Sequence, residues 1–215
     1  MAQIDLRPVR ISRDPARRSV QLLAGLALYG TSVAMLTRAH LGLEPWGVLA
    51  EGVMKHTGLT FGTVTGVISV AVLLLWIPLR QRPGIGTVAN VVVISVTVDL
   101  VRAVLPEQHD LGWQIALLAG GVVLNGVATA TYVGARLGPG ARDGLMTGLA
   151  ARTGRSVRLV RTGIEITVVA VGFALGGTVG LGTVLYALAI GPLTQALLPL
   201  VVWREPQREE QQPVH

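Results

Sequence analysis

The sequence predicts an all-α polytopic membrane protein: six transmembrane helices arranged as two inverted three-helix repeats, each with a short interfacial or re-entrant helix. Three observations predict it. Apolar residues arrive in long blocks, arginines collect on one side of those blocks, and the chain matches itself at one constant offset. Of its 215 residues 51% are hydrophobic and only 14% charged, with a mean hydropathy of +0.58. A soluble domain carries about 25% charged residues, so most of this chain's surface cannot face water.

The blocks come in order. Residues 1–18 form a basic tail with Arg7, Arg10, Arg13, Arg17 and Arg18. A first span is expected over 19–36. This block is long for a signal core, and Leu36-Thr37-Arg38-Ala39 is a poor cleavage site. The second span runs over about 61–79 and stops at Arg80-Gln81-Arg82-Pro83, and the third over 84–105. Residues 106–110 read as an external linker. The remaining spans are expected over 111–133, 159–175 and 181–202, before a charged tail at 203–215. Five of the blocks reach or approach the roughly 20 residues that a hydrocarbon core requires.

Orientation follows from the 18 basic residues. With a cytoplasmic N-terminus, all but Arg38, Lys55 and Arg102 fall inside. Basic loops resist translocation, so both termini are expected on the cytoplasmic side of a bacterial inner membrane.

The internal match appears on shifting the chain by 96 residues. Leu41-Gly42 then falls on Leu137-Gly138, Thr57-Gly58 on Thr153-Gly154, and Gly84-Ile85-Gly86-Thr87-Val88 on Gly180-Leu181-Gly182-Thr183-Val184. Gly25 and Gly30 fall on Gly121 and Gly126, and residues 22–100 give 21 identities in 79 positions. Three spans per copy is an odd number. The second copy, 111–202, therefore starts on the opposite side from the first, 19–105. Inverted repeats of this kind build many secondary transporters.

Between the first two spans of each copy lies a stretch too short and too polar to cross: LGLEPWGVLAEGVMKHTG at 41–58 and LGPGARDGLMTGLAARTG at 137–154. Each opens on Gly and Pro and ends on Thr-Gly, a usual helix stop. Short helices are expected over 46–57 and 142–153. Two placements are open: flat in the interface with Trp46 in the aromatic belt, or re-entrant, with the two N-termini approaching from opposite faces.

These stretches carry a family resemblance. Leu41–Trp46 (LGxxPW), Thr57–Thr63 (TGLxFGT), Arg82–Thr87 (RPGIGT), Arg142–Met146 (RDGLM), Val160–Glu165 (VRTxxE) and the closing Ile190–Pro192 resemble the YczE-like bacterial membrane proteins, grouped with YitT-type proteins. The resemblance covers nearly all of 19–202 and implies fold and location rather than an activity. Gly47 stands where the family usually has Asp, and Ala141 where it has Pro. The first departure weakens any mechanism that needs an acid from each repeat.

Ionisable groups within a span tend to be paired or functional. Glu165 lies four residues after Arg161 and shares its helix face. A structural salt bridge and a substrate-linked carboxylate are both compatible with that spacing. Arg142 could hold an anion if its helix is re-entrant, with Asp143 near the helix start. Pro45, Trp46, Glu51 and Asn125 complete the candidate substrate-binding set. Glu51 has no assigned side, and Asn125 is expected as a helix–helix hydrogen bond.

Composition also excludes. Nucleic acid is not expected as a partner although the net charge is +6, because the arginines sit at span ends. Zero cysteines rule out thiolate chemistry, and the four histidines show no ligand spacing. No cofactor or metal is expected, and no nucleophile, paired-acid or phosphate-binding motif points to an enzyme. The expected function is transporter-like: binding or moving a small, anionic solute at the repeat interface. A non-transporting scaffold or regulatory partner is the alternative. The lipid bilayer is the expected surrounding, and so thin a bundle leaves room for a homodimer.

Overall fold

The computed structural model describes residues 8–9 and 12–203. Arg7, Arg10 and the charged segment from Arg204 lie outside the described residues. The described chain is helical throughout: α1 (Pro15–Ala39), α2 (Pro45–Thr57), α3 (Phe61–Leu74), α4 (Trp76–Leu79), α5 (Ile85–Val104), α6 (Leu111–Gly134), α7 (Ala141–Thr153), α8 (Val157–Ala174) and α9 (Leu181–Val201). The two short helices fall within a residue of the expected bounds. The first span starts four residues early, so that Arg18 belongs to a helix and not to a tail.

The second apolar block is divided. Pro78 cannot donate to the carbonyl one turn back, and the helix breaks at Leu75 before the single turn of α4. Among the described residues five stretches are long and apolar enough to cross a bilayer: α1, α3 with α4, α5, α6 and α9. The one remaining expected span, the fifth in order, is α8, whose 18 residues include Arg158, Arg161 and Glu165.

The bundle turns its apolar side chains both ways. Leu26, Val33, Leu36, Val48, Phe61, Val64 and Val98 are buried, while Val20, Leu74, Ile77, Leu100, Ile166, Phe173, Leu188 and Leu200 are exposed. Exposed apolar side chains occur on all five long spans and on α8. Such a girdle is unfavourable in water, and in lipid it is the expected outer surface.

At the centre α1 packs along α6. On one flank α5 lies against α1, and on the other α9 lies against α6. The short helices pack across the chain: α2 rests on α8, and α7 on α3 and α4. Their loops do the same. Gly86 N–H donates to the Leu137 carbonyl at 3.0 Å, and Gly182 N–H donates to the Leu41 carbonyl at 2.8 Å. At Gly42 (φ +113°) a Cβ would lie 2.7 Å from the Gly180 nitrogen, and at Gly138 (φ +133°) 3.2 Å from the Gly84 Cα. Only glycine allows both the backbone angle and the approach.

Left-handed backbone recurs with a period. His40 and Arg136, Gly42 and Gly138, Gly58 and Gly154, and Arg80 and Gly176 all have positive φ, and each pair is separated by 96 residues. A shared bias toward Leu, Val and Gly in composition does not place backbone conformations in register.

One packing relation breaks the correspondence. α3 packs against α5, but α8 and α9 scarcely touch. The bundle is therefore closed on one side and parted on the other.

Candidate functional site

Loops set the site. Glu44 and Gly140 are the N-cap residues of α2 and α7, each in extended backbone, and the first turns of both helices are largely buried. Their C-terminal ends at 56–58 and 152–154 are exposed. Both helices therefore point their N-termini, where unpaired N–H groups create a positive end, into the interior of the bundle. Neither lies along its outside.

These N-termini meet at one cavity of about 270 Å³. Glu44, Pro45 and Trp46 line it from α2, and Gly140, Ala141, Arg142 and Asp143 from α7. The long helices add Tyr29, Thr65, Ser69, Asn90, Tyr132, Arg161, Glu165, Tyr186 and Thr194. A second void of about 280 Å³ adjoins it, sharing Pro45, Arg161, Glu165, Tyr186, Ile190 and Gly191 with it. That void occupies the gap between α8 and α9.

Within the cavity the charged groups differ in how far they are engaged. Arg161 Nε donates to Glu165 Oε1 at 2.8 Å. Arg142 lies over the Trp46 ring, 5.1 Å from its centroid, a cation–π contact joining the two short helices. The Tyr132 hydroxyl donates to Asp143 Oδ2 at 3.3 Å. Glu44 is only 2% exposed, and its Oε2 has no hydrogen-bond partner. The Trp46 Nε1, Thr65 Oγ1 and Thr194 Oγ1 atoms are likewise buried and unpartnered. Buried polar atoms are nearly always satisfied, because each one left bare costs about 1–3 kcal/mol. Four such atoms around one void mark a place where a polar guest can satisfy them.

Of the residues singled out from sequence, Pro45, Trp46, Arg142, Asp143, Arg161 and Glu165 all line this cavity. Glu51 does not. Its Oε2 accepts from the Thr178 N–H and its Oε1 lies 3.5 Å from Lys55 Nζ, tying α2 to the loop before α9. Asn125 stands one layer behind the wall. Its side chain donates to Ser32 Oγ at 2.7 Å and accepts from the Tyr186 hydroxyl at 2.9 Å. Asn125→Leu is expected to lower stability by about 1–2 kcal/mol, measurable as a fall in thermal midpoint in detergent. Tyr186→Phe should lose less, since the Ser32 bond survives.

Sequence reasoning missed Glu44, the three tyrosines and Asn90. A signal was present for some of them. Tyr29 lies 96 residues before Asn125, and Asn90 the same distance before Tyr186, so polar residues recur at matched depths in otherwise apolar spans. For Glu44 the repeat gave no such signal, because its counterpart is Gly140.

Most of this architecture falls in a region shared with proteins of bacteria. An uncharacterised protein of Haemophilus influenzae is 38% identical over 180 residues, covering 84% of this chain and 83% of its own. The uncharacterised membrane protein YczE of Bacillus subtilis is 35% identical over 181 residues, covering 82% and 83%. A third relative, YyaS of Bacillus subtilis, is 24% identical over 181 residues, covering 82% and 90%. No solved structure matches the chain. Residues 16–199 match the model of a family of unknown function, DUF6198, and with that span and these identities the chain belongs to this family of YczE-like membrane proteins.

Proposed function

We propose that this membrane protein binds, and carries across the bilayer, a small polar solute held between the N-termini of α2 and α7. The observation that carries the reading is the cavity in which two short helices, one from each half of the chain, converge on buried polar atoms without partners. In this reading α8 also crosses the membrane, as the fifth of six spans, and residues 19–105 and 111–202 are inverted copies with both termini in the cytoplasm. The paired left-handed positions support the duplication. The crossed packing of α2 on α8 and α7 on α3 supports a site built by both halves, as alternating access requires. The short helices are then re-entrant, with irregular backbone shielded by protein.

The parted α8 and α9 supply a route for the solute. Arg161 and Glu165 line both the cavity and the gap, so their ion pair stands at its entrance. Glu165→Gln is expected to leave the fold intact and to change solute-dependent stability.

The absence of cysteine makes a direct test clean. Single cysteines placed along 41–58 and 137–154 are labelled with membrane-impermeant maleimide from each side. Residues 44–46 and 140–143 should be shielded from both sides in the resting state, while 56–58 and 152–154 react from opposite sides. Free labelling of every position would remove the re-entrant site and with it the transport reading, favouring a scaffold instead.

A further inference from the structure

The two short helices carry the same two residue types in exchanged positions. In α2 the N-cap is Glu44 and the third helical residue is Gly47; in α7 the N-cap is Gly140 and the third is Asp143. The side chains compensate for the exchange. A Cβ at Gly47 would lie 2.6 Å from Glu44 Oε2 and 2.9 Å from Oε1, and a Cβ at Gly140 would lie 3.0 Å from Asp143 Oδ2. In each helix the acid reaches back or forward over one turn into the space that its partner glycine leaves open. Each helix therefore presents one carboxylate beside its first turn, though from different positions in the sequence.

Helix capping is the simpler role for such an acid, and for Glu44 the geometry argues against it. Its side chain makes no capping hydrogen bond. Its Oε2 is without a partner although the residue is 2% exposed and lines the cavity. Neither Glu44 nor Asp143 is held in an ion pair among the described residues. The cations nearby make their direct contacts with other groups, Arg161 with Glu165 and Arg142 with the Trp46 ring, although both line the same cavity. Besides the acids, the wall is rich in aromatic groups: Tyr29, Trp46, Tyr132 and Tyr186.

We propose that Glu44 and Asp143 act as a carboxylate pair, one from each short helix, that binds the positively charged nitrogen of an organic ammonium solute. The inference rests on reading the cavity as a solute site, and it reverses the sign of the charge expected from the arginines. Two carboxylates offer the opposite charge, and aromatic faces favour a weakly hydrated nitrogen cation over a hard metal ion, which needs six or more oxygen ligands.

The experiment uses the full chain in detergent, with methylammonium and tetramethylammonium as cationic probes and acetate and phosphate as anionic ones. Thermal midpoint and quenching of tryptophan fluorescence are read in parallel. Ammonium probes should raise the midpoint, and the near-isosteric Glu44→Gln should weaken their binding by about tenfold or more, as expected on losing a charged partner. The decisive comparison is the exchange. Glu44→Gly alone and Gly47→Asp alone should each weaken binding, the second by crowding two acids together. The double variant Glu44→Gly with Gly47→Asp moves the acid to the position it holds in α7 and should recover most of the loss. A double variant no better than Glu44→Gly overturns the pair. So does ammonium binding that survives Glu44→Gln. Stabilisation by the anions alone overturns the pair and leaves the solute site standing. Shielding of 44–46 and 140–143 from maleimide tests that site independently of either charge.

Discussion

Replacing Arg18 by Ala is expected to destabilise the protein by about 3–5 kcal/mol, among the largest effects any single side chain here should have. Arg18 is inaccessible to solvent. Its Nε donates to the Ala135 carbonyl at 2.9 Å, its Nη1 to Arg13 at 3.0 Å, and its Nη2 to Val9 at 3.0 Å and Arg136 at 3.1 Å. Trp203 lies against the guanidinium at 4.8 Å, and its indole donates to Asp14 while its N–H donates to the Gly134 carbonyl. One side chain thus ties together the segment before α1, the end of α6 and the residue after α9. Removing it leaves four carbonyls without this donor, the buried one of Ala135 among them.

Arg18→Lys should recover only a small part. An ammonium has no planar fork with which to reach carbonyls on two sides at once. The measurement is equilibrium unfolding in detergent, following tryptophan fluorescence. A loss below about 1 kcal/mol would mean that these ends are held by other contacts and that Arg18 behaves like an exposed arginine. Because α7 follows directly from the pinned end of α6, loosening here should also make residues 140–143 more reactive to maleimide in the cysteine series.

Gly144→Ala is expected to cost about 1–3 kcal/mol through overpacking, and to disturb the cavity as well as the fold. A Cβ at this position would lie 2.0 Å from the Trp76 ring. Trp76 has nowhere to move: it is 2% exposed and its Nε1 donates to the Ala141 carbonyl at 3.0 Å. α7 would have to shift from α4, carrying Arg142 and Asp143 with it. The check is a double-mutant cycle with Trp76→Leu, in which the smaller side chain should offset part of the Gly144→Ala penalty. Additive losses in the cycle would show that the ring does not set the position of α7. On the other short helix, one turn further along, Gly52 makes a close approach of its own: its Cβ would meet the Gly172 carbonyl at 2.6 Å. Both helices are therefore packed closely through a glycine, against a ring in one case and backbone in the other.

Much of the fold was legible because hydropathy and helix punctuation are local quantities. The blocks at 84–105, 111–133 and 181–202 correspond to α5, α6 and α9 within a residue or two at each end, since a run of apolar residues has no other stable state in lipid. Thr57-Gly58 and Thr153-Gly154 marked the ends of α2 and α7, and both glycines adopt the left-handed conformation that stops a helix. The Arg161–Glu165 pair followed from helical spacing alone and forms as expected. Arg18 was misread as part of a basic tail, because burial of an arginine depends on which carbonyls surround it. Two of those carbonyls, on Ala135 and Arg136, come from residues over a hundred positions away.

What the sequence by itself determined was an apolar multi-helix chain, two short polar helices, and a constant offset linking its halves. Tertiary structure decided that those two helices turn their N-termini inward to one cavity, and that α8 and α9 stand apart while α3 and α5 close. It also decided that the Glu44 carboxylate lies in the space beside Gly47. The physical reason is the same in each case. Periodicity and composition act along the chain, whereas the direction of a buried carboxylate is set by the space a glycine leaves open and by the neighbours packed around it.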